Sequence, residues 1–419
     1  MKKLLLATML ATAFATAQAQ SNDKPNDAIA TPNAPVQSSS VSVYGIVDVG
    51  FIGTNYQGVG TTPKVSQSTS AFGQSAESTS RLGFKGTEDL GGGTSAFFTV
   101  ETGLQPTNAT VSTWDNRQSF VGLKQAGLGQ ASIGTQYTPI HSQAAVTDAG
   151  QLNNMPGSLV YASNVQAQGN PGTAPFAAPS SPSGSSAGYT VRTSNTLNIA
   201  SERYAGFQGA GFIVQNGTDS TTGSTSTTTN GVTTVTPNGG QVNYNGYGIN
   251  ANYTWDKLYV TAVAQNLKSV ISAATLTTPA PAIWTAAGGG VNTQDNQKYV
   301  AATYDFGVLK AYAQYITRKA TDTINTNYYA SRTAQQIGVR GNFTPNIEGW
   351  ASAGNGKVRT FGATAPTSNF VGYQAGANYY LSKRTNLYAI VGQTKTDSSS
   401  VTGIPLSSTG YAAGVRHTF

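Results

Sequence analysis

The segment Thr409-Gly410-Tyr411-Ala412-Ala413-Gly414-Val415-Arg416-His417-Thr418-Phe419 decides the fold. Tyr411, Ala413, Val415, His417 and Phe419 alternate strictly with Ala412, Gly414, Arg416 and Thr418. Successive side chains of a strand point to opposite faces, so this strand has one largely apolar face and one small or polar face. Most soluble chains end instead in a frayed, polar tail. The terminal segment is therefore expected to be structural, and the rest of the chain must account for it.

The same period of two recurs upstream. Tyr247, Ile249, Ala251, Tyr253 and Trp255 oppose Gly248, Asn250, Asn252 and Thr254. Ile337, Val339, Gly341 and Phe343 oppose Gln336, Gly338, Arg340 and Asn342, and Val371, Tyr373, Ala375, Ala377 and Tyr379 oppose Gln374, Gly376, Asn378 and Tyr380. Counting such runs from Ser40 onward gives about sixteen strands, each of roughly the 9–11 residues that a tilted membrane-spanning strand needs. The runs near Tyr299 and Leu387 alternate poorly. Tight turns are expected at 90–93, 126–129, 255–257, 305–307, 344–346 and 382–384. Long polar connections are expected at about 54–78, 139–188, 216–243 and 270–295. Short and long connections alternate, as in outer-membrane barrels with short periplasmic turns and long outer loops.

A soluble sandwich also alternates, so three further features decide. Polar residues occupy what would be a packed interior, with too few large aliphatics to fill one. Aromatic residues gather near strand ends, as at Tyr253–Trp255 and Tyr379–Tyr380, where membrane girdles sit. Sixteen strands in lipid must also close, because an open edge would leave backbone groups unpaired. The expected fold class is all-β: a transmembrane antiparallel β-barrel spanning residues 40–419.

The N-terminus supplies the compartment. Lys2 and Lys3, the apolar run Leu4 to Ala17 and the small-x-small site Ala17-Gln18-Ala19 read as a signal peptide over residues 1–19. That apolar run is too short to span a bilayer as a helix. Residues 20–39 carry three prolines and no periodicity, and read as a flexible leader. Cleavage would take Lys2 and Lys3 and no acid, lowering the basic count from 24 to 22 against 17 acidic residues, a net charge of +5. Cysteine is absent, so neither disulfides nor thiolate chemistry is available. With 48 Gly, 21 Tyr and 10% charged residues, the composition is unlike that of an ordinary enzyme.

Five ordered motifs resemble the general porins of the betaproteobacterial and neisserial type. They are Ser40-Val41-Ser42-Val43-Tyr44-Gly45-Ile46-Val47-Asp48-Val49-Gly50, Ser80-Arg81-Leu82-Gly83-Phe84-Lys85-Gly86-Thr87-Glu88-Asp89-Leu90-Gly91, Arg117-Gln118-Ser119-Phe120-Val121-Gly122-Leu123, Gln136-Tyr137-Thr138-Pro139 and the ending Gly414 to Phe419. The resemblance implies a homotrimeric, water-filled channel of sixteen strands for small hydrophilic solutes. It places the protein in the Gram-negative outer membrane, among lipid and lipopolysaccharide. It also implies a third loop, here 139–188, folded into the pore, and Phe419 as part of a signal read by the outer-membrane insertion machinery. The chain departs from the family in its longer leader, in Thr135 where arginine is typical, and in a third loop whose single acid is Asp148.

A wet lumen tolerates charge, whereas the lipid face penalises Arg or Lys by roughly 2–4 kcal/mol at the midplane. Arg81 and Lys85 share a face opposite Leu82 and Phe84, and Arg117 and Arg192 also fall within strands. These four are expected to form a basic ladder beside the constriction, with Asp48, Glu101 and Asp148 as the acidic lumen residues. The resemblance supports Arg81, Arg117 and Arg192 as positions of this kind. Lys310 and Arg340 are weaker candidates for the same wall. The alternative is that the charges only keep the lumen wet or pair with those acids. A cluster of one sign in a narrow passage concentrates counter-ions, so the basic excess predicts a weak anion preference.

Other chemistries lack their residues. His141 and His417 have no carboxylate or serine at motif spacing, and no zinc spacing, P-loop or nucleophile elbow occurs. Asp219, Asp295 and Asp322 lie in polar stretches without an EF-hand ligand series. Gly91-Gly92-Gly93 is expected to be a hairpin turn. The basic balance is too diffuse for nucleic acid. The expectation is a channel with no catalytic residues, cofactor or metal. A channel selective for one anionic solute, an outer-membrane enzyme barrel and a surface adhesin are the competing classes.

Overall fold

The structure is a computed structural model and describes residues 39–58, 66–161, 186–229, 232–271, 291–322, 326–327, 329–360, 367–397 and 406–419. The expected signal peptide and all but the last residue of the expected leader lie outside the described residues. Seventeen strands form one sheet: β1 (Ser40–Gly58), β2 (Ser66–Gln74), β3 (Arg81–Gly91), β4 (Thr94–Gly103), β5 (Asn116–Gln125), β6 (Gly129–Tyr137), β7 (Arg192–Ser201), β8 (Phe207–Thr229), β9 (Val232–Trp255), β10 (Leu258–Ile271), β11 (Val291–Asp305), β12 (Lys310–Asp322), β13 (Tyr329–Thr344), β14 (Ile347–Thr360), β15 (Thr367–Tyr380), β16 (Thr385–Thr396) and β17 (Leu406–Thr418). One helix, α1 (Pro139–Thr147), follows β6.

Apart from β2 and β3, which both pair with β1, each strand pairs antiparallel with its sequence neighbours, and β17 pairs with β1 from Ile46↔Thr418 to Gly58↔Leu406. That last pairing closes the sheet into a barrel, the condition that lipid imposes. Seventeen strands make sixteen staves. β3 pairs with the first part of β1 and β2 with the remainder, so the two are halves of one stave. The residues between them leave the ladder around Ser75, whose φ is 65°. Asp48 holds this insertion by accepting from the backbone N–H groups of Glu77 (2.9 Å) and Ser78 (2.6 Å). The sixteen-strand closed barrel is thus as expected.

Burial is inverted relative to a soluble protein. Ile337 and Ile249 are each 68% exposed on the outer surface, while Gln336 and Asn250 are buried inside. The terminal strand follows the same rule, with Tyr411, Val415 and Phe419 outward and Ala412 inward. Exposed aromatic residues Tyr204, Phe207, Trp255, Tyr304, Phe306, Phe343 and Tyr379 adjoin the short turns, where an interfacial girdle belongs. Gly91, Gly92 and Gly93 form the β3–β4 hairpin with φ of 82°, 61° and 77°. Glycine reaches that left-handed region without steric cost.

Three of the expected long connections are shorter than the sequence implies. β1 and β2 run into 54–78, β8 and β9 through most of 216–243, and β10 and β11 into 270–295. Beyond Val214, where β7 ceases to pair, β8 is partnered by β9 alone and the two continue as a ribbon. Its Ser/Thr/Gly composition reads as loop, yet β-branched Thr and Val favour extended backbone, and ladder hydrogen bonds require no apolar face. The poor alternation near Tyr299 and Leu387 also has a cause. Tyr299 and Tyr388 are apolar in body but point inward, where each hydroxyl finds a partner.

Candidate functional site: the barrel lumen

The connection between β6 and β7 folds into the barrel. Thr138 caps α1 by accepting from the His141 N–H, and Pro139 starts the helix where a missing N–H costs nothing. The helix packs on the inner face of β8–β12. From there the loop is bonded in turn to successive staves. Arg340 donates to the Ala149 carbonyl (2.8 Å), Gln374 to the carbonyls of Met155 (2.6 Å) and Pro156 (2.7 Å), and the Gly157 N–H to Thr394 (3.0 Å). At its far end Asn154 reaches the insertion between β2 and β3, donating its backbone N–H to the Ala76 carbonyl at 3.0 Å and its side chain to the Ser75 carbonyl at 2.7 Å. The returning limb meets the wall where Arg318 donates to Ser186 (2.8 Å) and the Thr190 N–H to Gln297 (2.9 Å). Side chains that a soluble fold would expose are therefore buried here by the loop.

The expected basic residues lie on the arc from β1 to β7. Glu101 on β4 accepts from Arg117 Nε at 2.8 Å and from the Tyr44 hydroxyl at 3.0 Å, with Arg81 Nη1 at 4.0 Å. Arg117 also donates to the Tyr137 hydroxyl (3.0 Å), and the Arg192 guanidinium lies 6.0 Å from the Tyr137 ring centre. Lys85 sits 5.2 Å above the Tyr44 ring. Two of the four cations contact Glu101, and Arg192 has Nε and Nη1 without a hydrogen-bond partner among the described residues. Arg117 owes its direction to a bulge. Simple alternation would place it with the outward Val121 and Leu123. The β4–β5 register slips between Glu101↔Gln118 and Thr102↔Asn116, which turns the extra residue inward.

The loop's aromatic side chains face this arc. Tyr137 stacks on His141 with ring centres 4.4 Å apart, and Tyr161 and Tyr189 each lie 5.9 Å from that imidazole. Burial, reinforced by Arg192, Arg117 and Arg81, holds His141 well below the ordinary imidazole range. His141 is therefore neutral, and its Nδ1 lies 3.2 Å from the Tyr189 hydroxyl. This is a packing role, with no carboxylate in contact.

The expected acids divide. All three are buried, but Glu101 joins the basic arc whereas Asp48 and Asp148 are held by the insertion and the loop. Asp48 ties the β2–β3 insertion to Tyr388 (2.6 Å). Asp148 ends α1 and accepts from the Leu152 N–H and Gln336, both at 2.8 Å; burial raises its pKa against these donors. Arg340, a weaker candidate, is engaged by Glu348 at 2.5 Å. Asp295, expected in a loop, lies in β11 and pairs with Arg318 at 2.6 Å. Arg332 and Glu348 escaped the sequence reading. Arg332 shares the parity of Arg340 along β13, so alternation could have found it. Arg203, in the turn between β7 and β8, donates to Asn252 at 2.6 Å. Phe419 completes the closure by exchanging backbone hydrogen bonds with Gly45 (3.0 and 3.1 Å), its ring lying across that glycine.

Known proteins share this fold. A family profile described as Gram-negative porin matches residues 6–399. Outer membrane porin protein 32 of Delftia acidovorans is 24% identical over 412 residues, spanning 93% of this chain and 97% of that one. A major outer membrane protein P.IB of Neisseria gonorrhoeae is 30% identical over 127 residues, 30% of this chain and 35% of its own length. Among solved structures, an anion-selective porin from Comamonas acidovorans superposes with a TM-score of 0.66 at 22% identity, covering 91% of this chain and 100% of that one. A trimer form of OmpT, an outer membrane protein of Vibrio cholerae, gives 0.57 at 11% identity, with 91% and 100% covered. A closed barrel, an outward apolar surface, a charged interior and a profile match over nearly the whole sequence lead to one conclusion: the chain belongs to the Gram-negative porin family and resides in the outer membrane.

Proposed function

We propose that this porin is a water-filled diffusion channel for small hydrophilic solutes and ions, narrowed by its third loop and weakly selective for anions. The observation that carries the preference is the charge count on the β1–β7 arc. Arg81, Lys85, Arg117 and Arg192 face the loop with Glu101 as the acid among them. Fixed cations beside a narrow, low-dielectric-walled passage raise the local concentration of anions, and Arg keeps its charge throughout. The anion selectivity of the Comamonas acidovorans porin supports the same sign here. Passage involves no chemical step, and rate is set by pore width and wall charge. Asp48 and Asp148 act as anchors of the insertion and the loop.

The working unit is a homotrimer embedded in lipid and lipopolysaccharide, a state supported by the trimer form of the Vibrio cholerae relative. Phe419 and the alternating strand that it ends serve as the signal for the insertion machinery after removal of residues 1–19. Planar-bilayer recording of the purified protein tests these assignments together. Conductance steps in threes, with a reversal potential of anionic sign across a salt gradient, are expected. A clear cation preference overturns the charge assignment, and a non-conducting protein overturns the channel.

A further inference from the structure

A second cationic site lies behind the loop, away from the basic arc. Arg318 and Arg332 are direct partners across the β12–β13 ladder, and each is 2% exposed. Arg318 is compensated: Nε and Nη2 donate to Asp295, and Nη1 donates to the Ser186 carbonyl. Arg332 is not. Its Nη2 donates to the Leu159 carbonyl at 2.6 Å and its guanidinium lies 4.6 Å from the Phe370 ring centre. Nε and Nη1 are buried with no partner among the described residues. Ala330 and Ala334 flank it along β13, Val358 faces it from β14, and all three belong to a buried apolar cluster. The buried hydroxyl of Thr360, two positions beyond Val358 on β14, also lacks a partner.

A guanidinium is not deprotonated in proteins, and a charge so enclosed requires a counter-charge. The loop's single acid, Asp148, is taken up by the Leu152 N–H and Gln336, and the sequence from Ala149 to Ser201 contains neither Asp nor Glu. Asp295 already serves Arg318, so among the described residues two arginines and one aspartate leave a single positive charge uncompensated. Leu159 and Ser186 belong to the outgoing and returning limbs of the loop. The two arginines therefore pin both limbs to the wall.

We propose that Arg332 binds a small inorganic anion of single charge, a halide in class, on its free N–H groups, and that this anion holds the third loop against β12–β13. The apolar surroundings and the single excess charge favour a compact, weakly hydrated ion over phosphate. The site is separate from the basic arc and is independent of which ions the channel prefers. Bromide carries an anomalous X-ray signal and tests it directly. Crystals of the wild-type porin grown in bromide should show a peak in contact with Arg332 Nε or Nη1, and Arg332→Leu should lose it. Absence of the peak in the wild type, or its survival in the variant, overturns the site. Replacing chloride by bulky gluconate should raise the frequency of spontaneous closures severalfold in the wild type and leave Arg332→Leu unchanged. Equal closure rates in the two salts overturn the latch. Open-channel conductance persists in each case, so failure here is distinguishable from failure of the diffusion-channel assignment.

Discussion

Replacing Arg192 by Gln should weaken anion preference without unfolding the barrel. Arg192 is the cation of choice because its Nε and Nη1 are unpartnered among the described residues, whereas Arg117 is locked to Glu101 at 2.8 Å. Removing Arg192 therefore orphans no carboxylate. One unit charge about 6 Å from a permeating anion is worth roughly 0.7 kcal/mol at the dielectric constant of water. Screening over a Debye length of about 10 Å at 0.1 M salt reduces that to roughly 0.4 kcal/mol. This corresponds to about a twofold loss in local anion occupancy, with a matching gain for cations, so the permeability ratio should fall about two- to fourfold. Glu101→Gln should shift the ratio the other way, because it removes the arc's acid. It should also destabilise the barrel by about 3–5 kcal/mol, since it breaks a buried pair. The assay is the reversal potential across a tenfold KCl gradient for wild type and both variants. If Arg192→Gln leaves the reversal potential unchanged, the guanidinium does not border the ion path.

Loop seating can be challenged at Gly157, which has a φ of 108° and where an added Cβ would lie 2.1 Å from the Tyr373 carbonyl oxygen. Gly157→Ala should cost about 1–3 kcal/mol in backbone strain and dislodge the loop, giving noisier and larger single-channel currents; quiet, wild-type steps would contradict the loop's role. Deleting Phe419 removes the hydrogen bonds to Gly45 and the outward aromatic end, so the amount of folded protein in outer-membrane fractions should drop sharply, and an undiminished yield would reject Phe419 as a signal. The depressed pKa of His141 fixes a pH response. Its folded pKa lies below the ordinary value of about 6.5, so the neutral ring's contribution is complete above that pH and is lost as acid protonates it. Conductance should therefore not titrate between pH 8 and 7, and closures should increase at acid pH in the wild type but not in His141→Gln.

How much of this was legible in the sequence depends on whether a residue answers to its neighbours along the strand or to the loop inside. Residues such as Ile337, Val371 and Tyr411 answer to lipid alone, so simple alternation found their face and with it the barrel. Tyr299 and Tyr388 answer to inner partners, Gln314 and Asp48 respectively, and so blurred the two strands that seemed weakest. The Ser75 region hid that β2 and β3 are halves of one stave, because an insertion tied down by Asp48 looks like a loop in sequence while β2 and β3 continue one line in space. Arg81 and Lys85 were readable from parity. Arg117 was not, because a bulge in the β4–β5 ladder, invisible in composition, reverses its face. Arg332 sits at an even interval from Arg340 and was open to the same parity argument that worked elsewhere; its meaning was not. Only the folded loop shows that a side chain with the alternation of a wet lumen residue is enclosed among Phe370, Val358 and alanines. The inward loop thus creates two electrostatic environments from one alternating pattern. On the β1–β7 arc Arg81 and Arg117 stand beside Glu101, in the cluster that we propose selects ions, while behind the loop Arg332 is sealed and, on our proposal, finds its partner from solution.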